Sequence, residues 1–142
     1  MTTADTATRS VVLERQLPHN PAKVWRALTE GPLLAEWLLA NDFRAEVGHK
    51  FTFRQTPVKN WDGIIECEVL AVEPPARLAY TWASLGLQTV VTFTLTATES
   101  GTQLRVEQSG FPAKGGDQYF QGAEWGWNKF LTNLEGVLDG NA

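Results

Sequence analysis

Glu124 is the side chain with the clearest capacity for chemistry in this 142-residue sequence. It follows Phe120 by four positions, which places it about 40° from Phe120 around a helix. Because Phe120 belongs to an apolar stripe, Glu124 is expected either to border an interior cavity or to lie at the stripe's edge and reach solvent. A carboxylate in the cavity would anchor a ligand by hydrogen bonds or accept a proton from it.

Gln108 and Cys67 are the other polar candidates, because both alternate with apolar residues. Gln108 follows Val106 on the inward face of a predicted strand. Its amide would orient the polar group of a ligand or satisfy a backbone group at the strand end, and both alternatives stay open. Cys67, between Ile65 and Val69, is predicted to be a small buried residue rather than a nucleophile.

Metal, redox and triad chemistry are not predicted. His19 and His49 are the two histidines, and neither has a Ser or Cys nearby in a recognisable nucleophile motif. One cysteine cannot form an internal disulfide, and two histidines give too few ligands for a zinc site. We therefore predict no metal and no cofactor.

The charge and hydropathy of the chain exclude two classes of partner. The net charge is −4, with twelve scattered Lys and Arg residues, so no basic surface for nucleic acid is predicted. No apolar run approaches the roughly 18 residues of a membrane span, and the N-terminus lacks the apolar segment of a secretory signal. We predict a cytoplasmic protein, a monomer or a weak homodimer.

Aromatic residues are abundant, with six Trp, seven Phe and two Tyr. Such side chains suit both a rigid core and the wall of a ligand cavity. Those that point inward by their spacing, together with the polar candidates, form the predicted ligand-binding set: Trp37, Phe53, Cys67, Tyr80, Trp82, Phe93, Gln108, Phe120, Glu124 and Trp127.

The elements that position these residues follow from periodicity and turn chemistry. Residues 1–8 have no pattern and are predicted to be a disordered tail before a single domain at 9–142. After a first strand, Asn20 and Pro21 begin a helix as N-cap and first helical residue. Gly31-Pro32 ends that helix, and a second short helix follows.

Beyond residue 41 apolar residues recur at every second position. This spacing indicates about six antiparallel strands, each with one buried face. The inward residues include Phe51 and Phe53; Ile65, Cys67 and Val69; Leu78, Tyr80 and Trp82; Val91, Phe93 and Leu95; Leu104, Val106 and Gln108. From Phe120 to Leu138 apolar residues recur with the 3.6-residue period of a helix. This predicts one amphipathic helix of roughly 22 to 25 residues.

The predicted order is therefore β-αα-β6-α, an α+β helix-grip fold. The apolar face of the sheet and the apolar stripe of the last helix must be buried against each other. A curved sheet around a single helix leaves room for a cavity between them.

Several stretches resemble the activator of Hsp90 ATPase homologue 1-like (AHSA1-like) family of the SRPBCC, START and Bet v 1-like superfamily. They are NPAKVWRALT at 20–29, LLAEWL at 33–38, EPPARLAYTW at 73–82 and GTQLRV at 101–106. The resemblance implies the same helix-grip fold. Val47 to Lys50 replace a Gly-Gly pair that family members often have, which implies a different pocket mouth.

The resemblance implies function less specifically, because this fold serves several functions. A carrier of a small hydrophobic or aromatic ligand is the leading hypothesis. The alternatives are an enzyme of the cyclase, aromatase or hydrolase type, and a module that contacts a chaperone. The separate N-terminal domain of true Hsp90-ATPase activators is absent from these residues, so no stimulation of Hsp90 is expected.

Overall fold

The computed structural model describes residues 8–84, 86–112 and 117–140. Over these ranges the elements are β1 (Thr8–Leu17), α1 (Pro21–Thr29), α2 (Gly31–Trp37), β2 (Ala40–Asn41), β3 (Lys50–Arg54), β4 (Ile64–Glu73), β5 (Arg77–Ser84), β6 (Leu87–Thr98), β7 (Gly101–Pro112) and α3 (Asp117–Gly140). Within them, no helix is long and apolar enough to cross a bilayer.

The predicted helix-grip order is confirmed. The strands form one antiparallel sheet in the order β1-β7-β6-β5-β4-β3-β2. Six strands follow α2, as predicted; five of them contain the alternating sets named above, whereas β2 has two residues and is too short to alternate. The predicted tail at 1–8 lies outside the described residues except for Thr8, which begins β1.

Local sequence explains how α1 begins and how α2 docks on it. The Asn20 side chain accepts a hydrogen bond from the Lys23 amide at 2.9 Å, so it satisfies one of the unpaired N–H groups of the first turn. Pro21 occupies the first turn, where no N–H is needed. Trp37, at the end of α2, donates from its indole Nε1 to the Ala27 carbonyl at 2.8 Å.

The β6–β7 turn fixes the end of β1. Gly101 has φ +147°, and a Cβ there would lie 2.0 Å from the Leu17 carbonyl oxygen. Only glycine fits this close approach. Next to it, the Thr102 hydroxyl donates to the His19 carbonyl at 2.7 Å.

The core lies between the sheet and α3. Trp127, Leu131, Leu134 and Leu138 on α3 are all buried, which agrees with the predicted stripe. On the sheet, aromatic rings pack edge to face or tilted at centroid distances between 5.3 and 5.9 Å; these are Phe51, Phe53, Tyr80 and Phe93.

The first strand and the last helix run side by side in the same direction. Arg9 pairs with Asp117 near the start of both elements. His19 Nε2 lies 2.8 Å from Asp139 Oδ1 near their ends. Exposed pairs of this kind contribute little stability individually, but they align α3 along the edge of the sheet.

Candidate functional site

A cleft of about 370 Å³ lies between the first half of α3 and the ends of the central strands. Its volume is within the range of small-molecule sites. Leu39, Gln55 and Trp61 line its opposite side. Its aromatic lining consists of Trp61, Trp82, Phe111, Tyr119, Trp125, Trp127 and Phe130.

The α3 side of the cleft combines aromatic residues with three residues that have little or no side chain. Gly122, Ala123 and Gly126 line it. A Cβ on Gly122 would meet no atom within 4 Å, and one on Gly126 would meet only Phe130 Cε2, at 3.9 Å. A side chain at either position would therefore have room to extend, and each glycine costs the helix about 1 kcal/mol relative to alanine.

Gln108 is the polar centre of the cleft and is 4% exposed. Its Oε1 accepts a hydrogen bond from Trp127 Nε1 at 2.7 Å, and its Nε2 donates to Thr89 Oγ1 at 2.8 Å. Thr89 in turn donates to the Trp82 carbonyl at 2.8 Å. The network fixes the Trp127 indole and connects Gln108, through Thr89, to the β5 backbone at Trp82.

The Gln108 amide has capacity beyond this network. A carboxamide offers two N–H donors on nitrogen and two lone pairs on oxygen. Among the described residues, Nε2 uses one of its two N–H donors and Oε1 uses one of its two lone pairs. One donor and one acceptor position of the amide are therefore not used by the described residues.

A tight turn between β3 and β4 places Trp61 over the cleft. The backbones of Val58 and Trp61 exchange two hydrogen bonds of 3.0 Å. Gly63 has φ +79°, and a Cβ there would lie 2.2 Å from the Gln55 carbonyl oxygen. Glycine therefore lets the chain fold back and bring the indole to the cleft.

The mouth of the cleft is aromatic and faces solvent. Tyr119 is 41% exposed and Trp125 is 69% exposed. The Lys129 ammonium lies 5.4 Å from the Trp125 ring centroid, within the range of a cation–π contact.

The described residues that line the cleft include no carboxylate, imidazole, amine or thiol. Glu124 is exposed on α3, so it matches the alternative in which it reaches solvent at the edge of the stripe. The buried Cys67 thiol has its pKa raised to about 12, chiefly because burial removes water from its charged form. It is therefore a protonated, unreactive group.

The predicted ligand-binding residues divide between the cleft and the core. Trp82, Gln108 and Trp127 line the cleft. Four predicted aromatic residues are instead at most 1% exposed in the core and do not line it: Trp37, Phe53, Tyr80 and Phe93. Cys67 also lies in the core cluster. Phe120 packs against Phe111 at 5.4 Å and lies beneath Arg9.

Sequence reasoning did not identify Trp61, Ser84, Gly122 and Gly126 as cleft residues. The two glycines lie four positions apart within a predicted helix, where glycine is costly. Residues four positions apart lie on the same face of a helix, so this spacing could have indicated a helix face without side chains. Trp61 in an otherwise polar turn was a second signal, since tryptophan is rarely left in such a segment without a packing partner.

The two histidines have structural contacts and do not line the cleft. His49 Nε2 lies 3.0 Å from the Asp42 carbonyl oxygen, and its ring stacks on Phe51 at 6.2 Å. Within the described part of the chain, no group of three or more His, Cys, Asp or Glu residues could hold a metal ion.

Residues 18–139 match the family of activator of Hsp90 ATPase homolog 1-like proteins. No functionally curated protein matches the chain. The crystal structure of protein MLL2253 from Mesorhizobium loti is similar, with 48% identity and a TM-score of 0.84 over 94% of this chain and 99% of that one.

Two more distant structures share the fold. Protein BH1534 from Bacillus halodurans is 26% identical, with a TM-score of 0.79 over 92% of this chain and 96% of its own. DynU16, a protein of the dynemicin biosynthetic locus, is 26% identical with a TM-score of 0.77. That match covers 92% of this chain but 47% of DynU16.

Proposed function

Since this chain belongs to the activator of Hsp90 ATPase homolog 1-like family, whose fold suits ligand binding, we propose that it binds a small hydrophobic or aromatic molecule. The ligand lies between α3 and the sheet, against the indole rings of Trp82 and Trp127. The observation that carries the proposal is the buried Gln108 network at the base of an aromatic cleft. Such a site combines apolar walls with a few fixed polar groups, as ligand pockets generally do.

Binding without catalysis is supported by the lining of the cleft. General acid–base or nucleophilic chemistry needs a titratable or nucleophilic side chain beside the substrate. Tyr119 and Ser84 do line the cleft, but the described lining has no carboxylate, imidazole or amine that could serve as the base to activate them. The similarity to DynU16, a protein of a biosynthetic locus, is compatible with a small-molecule ligand.

A matched pair of helix variants tests the proposal. Gly126→Leu places an isobutyl group in the cleft, whereas Gly136→Leu places the same group on the exposed side of α3. Both replace glycine in a helix, so both gain helix propensity. Fluorene, a flat apolar probe, should shift the indole N–H signal of Trp127 in the wild-type protein and in Gly136→Leu. Gly126→Leu should weaken its binding at least tenfold, and unchanged binding there would contradict the proposal.

The exposed Trp125 and Tyr119 support a second candidate, contact with a chaperone through the mouth of the cleft. Exposed aromatic side chains often mark protein interfaces. A Trp125→Ala variant would then lose binding to Hsp90 in a pull-down while keeping the wild-type unfolding midpoint, because Trp125 is largely exposed. Equal Hsp90 capture by Trp125→Ala and the wild-type protein would exclude this contact.

A further inference from the structure

Two polar atoms in the cleft wall have no partner among the described residues. They are Trp61 Nε1 and Ser84 Oγ, and both residues line the cleft. An indole N–H can only donate, while a hydroxyl can both donate and accept. Burying such groups without a partner costs free energy, so a ligand that supplies an acceptor recovers that cost.

These two residues also form the boundary with a neighbouring cleft. Trp61, Ser84 and Leu87 line a second space of about 470 Å³. Its lining includes the carboxylates of Asp62 and Glu66. The two unpartnered atoms therefore lie where an apolar cleft meets a polar, acidic one.

The charges around this boundary select against an anionic ligand. No Lys, Arg or His is among the described residues that line either cleft. A carboxylate on the ligand would lose hydration without gaining a cation and would approach Asp62 and Glu66. An uncharged oxygen can accept hydrogen bonds without that penalty.

We propose that Trp61 and Ser84 form a subsite for an uncharged hydrogen-bond acceptor, such as a ketone oxygen, on the bound molecule. This rests on the proposed function, since the apolar body of the ligand occupies the main cleft. The Gln108 amide and this subsite then hold two separate parts of the ligand.

Access to the subsite requires a small movement of Trp61. Its Nε1 and the Ser84 Oγ are covered by neighbouring atoms in this conformation. The half-buried indole is carried at the end of the short turn that Trp61 forms with Val58. Turning the ring toward the ligand exposes the N–H and converts an unpaired donor into a paired one.

Fluorene and fluorenone provide the matched probes, because they have nearly the same shape and differ by one carbonyl oxygen. The quantity measured is the ratio of the fluorene Kd to the fluorenone Kd. Trp61→Phe removes the N–H but keeps an aromatic ring, and Ser84→Ala removes the hydroxyl. Trp25→Phe, on α1 and outside the cleft lining, is the control.

We expect the ratio to fall by roughly threefold to tenfold in Trp61→Phe, the effect of one hydrogen bond, and also to fall in Ser84→Ala. It should be unchanged in Trp25→Phe. Fluorenone, but not fluorene, should move the Trp61 indole N–H signal downfield, and fluorene carboxylate should bind more weakly than fluorene.

The outcomes separate this inference from the proposed function. If fluorene binds in the cleft but Trp61→Phe and Ser84→Ala leave the ratio unchanged, the subsite is wrong and the binding function stands. Tighter binding of fluorene carboxylate than of fluorenone would also overturn the subsite. If neither probe shifts the Trp127 signal, both proposals are wrong.

Discussion

Gln108 connects two strands and a helix through a single side chain. Its partners, Thr89 on β6 and Trp127 on α3, are each 19 positions away in the sequence. A hydrogen bond in the low-dielectric interior is stronger than in water, and a buried group that loses its partner there is costly. The amide therefore has a role in stability as well as in the cleft.

Replacing Gln108 with leucine should lower the free energy of unfolding by about 1–3 kcal/mol, because the Trp127 N–H would remain buried without an acceptor. Gln16→Leu is a matched control. Gln16 also donates to a threonine hydroxyl, that of Thr98 at 2.8 Å, but it is exposed, so its loss should change stability by no more than about 0.5 kcal/mol. Urea denaturation measures the change in the free energy of unfolding for both variants. Equal decreases in the two would contradict the role of the buried network.

Cys67 and Tyr80 predict a loss of stability in alkali. Burial raises the pKa of the Cys67 thiol from 9.0 to about 12 and raises the pKa of the Tyr80 phenol well above 10.0. The folded state thus keeps protons that the unfolded state releases. Stability from these groups is complete below about pH 9 and declines as pH rises toward 12. Urea midpoints measured across this interval should fall, and Cys67→Ala should reduce the dependence; a rising midpoint would contradict the assignment.

The placement of single residues was predictable where periodicity is strict. Gln108 lies on a strand, where alternate residues face opposite sides, so its spacing from Leu104 and Val106 puts it on their face of the sheet, and it is buried there. Glu124 lies on a helix at an angle near the border of the apolar stripe, where a few tens of degrees separate interior from solvent. Trp61 lies in a turn, where side chains follow no regular period, so its direction could not be predicted from its position in the sequence.

The two halves of α3 have different surfaces toward the sheet. The C-terminal half packs Leu131, Leu134 and Leu138 into the core, whereas the N-terminal half presents Gly122 and Gly126 to the cleft. One helix therefore closes the core at one end and leaves space at the other. Its amphipathic pattern was visible in the sequence, but the space was not, because the pattern does not record which sheet residues face the glycines.

Leu134→Ala should destabilise the protein by about 2–5 kcal/mol, because the side chain is fully buried and its removal leaves a cavity. Thr132→Ala, at an exposed position on the same helix, should have a small effect. Thermal or urea denaturation of the two variants makes the comparison. Similar losses would show that α3 does not bury this stripe against the sheet.

Ligand binding and global stability are linked across the whole molecule. A ligand that binds only the folded state adds about 1.4 kcal/mol at ten times its Kd. For a chain of this size that corresponds to a rise in Tm of roughly 3–5 °C. Fluorenone should produce this rise in the wild-type protein and in Gly136→Leu but not in Gly126→Leu; an equal rise in all three would mean binding outside the cleft.

The pairing of β1 has a consequence for the order in which the molecule is assembled during synthesis. Leu17 pairs with Thr102 and Thr8 with Pro112, while Arg9 and His19 meet α3. Because β1 precedes the other six strands of the sheet and pairs only with β7, it stays without a strand partner until β7 has been made. Contacts between such distant segments carry a large loop-closure cost and slow folding. Ribosome-bound chains that stop before residue 102 should remain sensitive to protease within β1, and β1 should be among the last strands of the sheet to become protected.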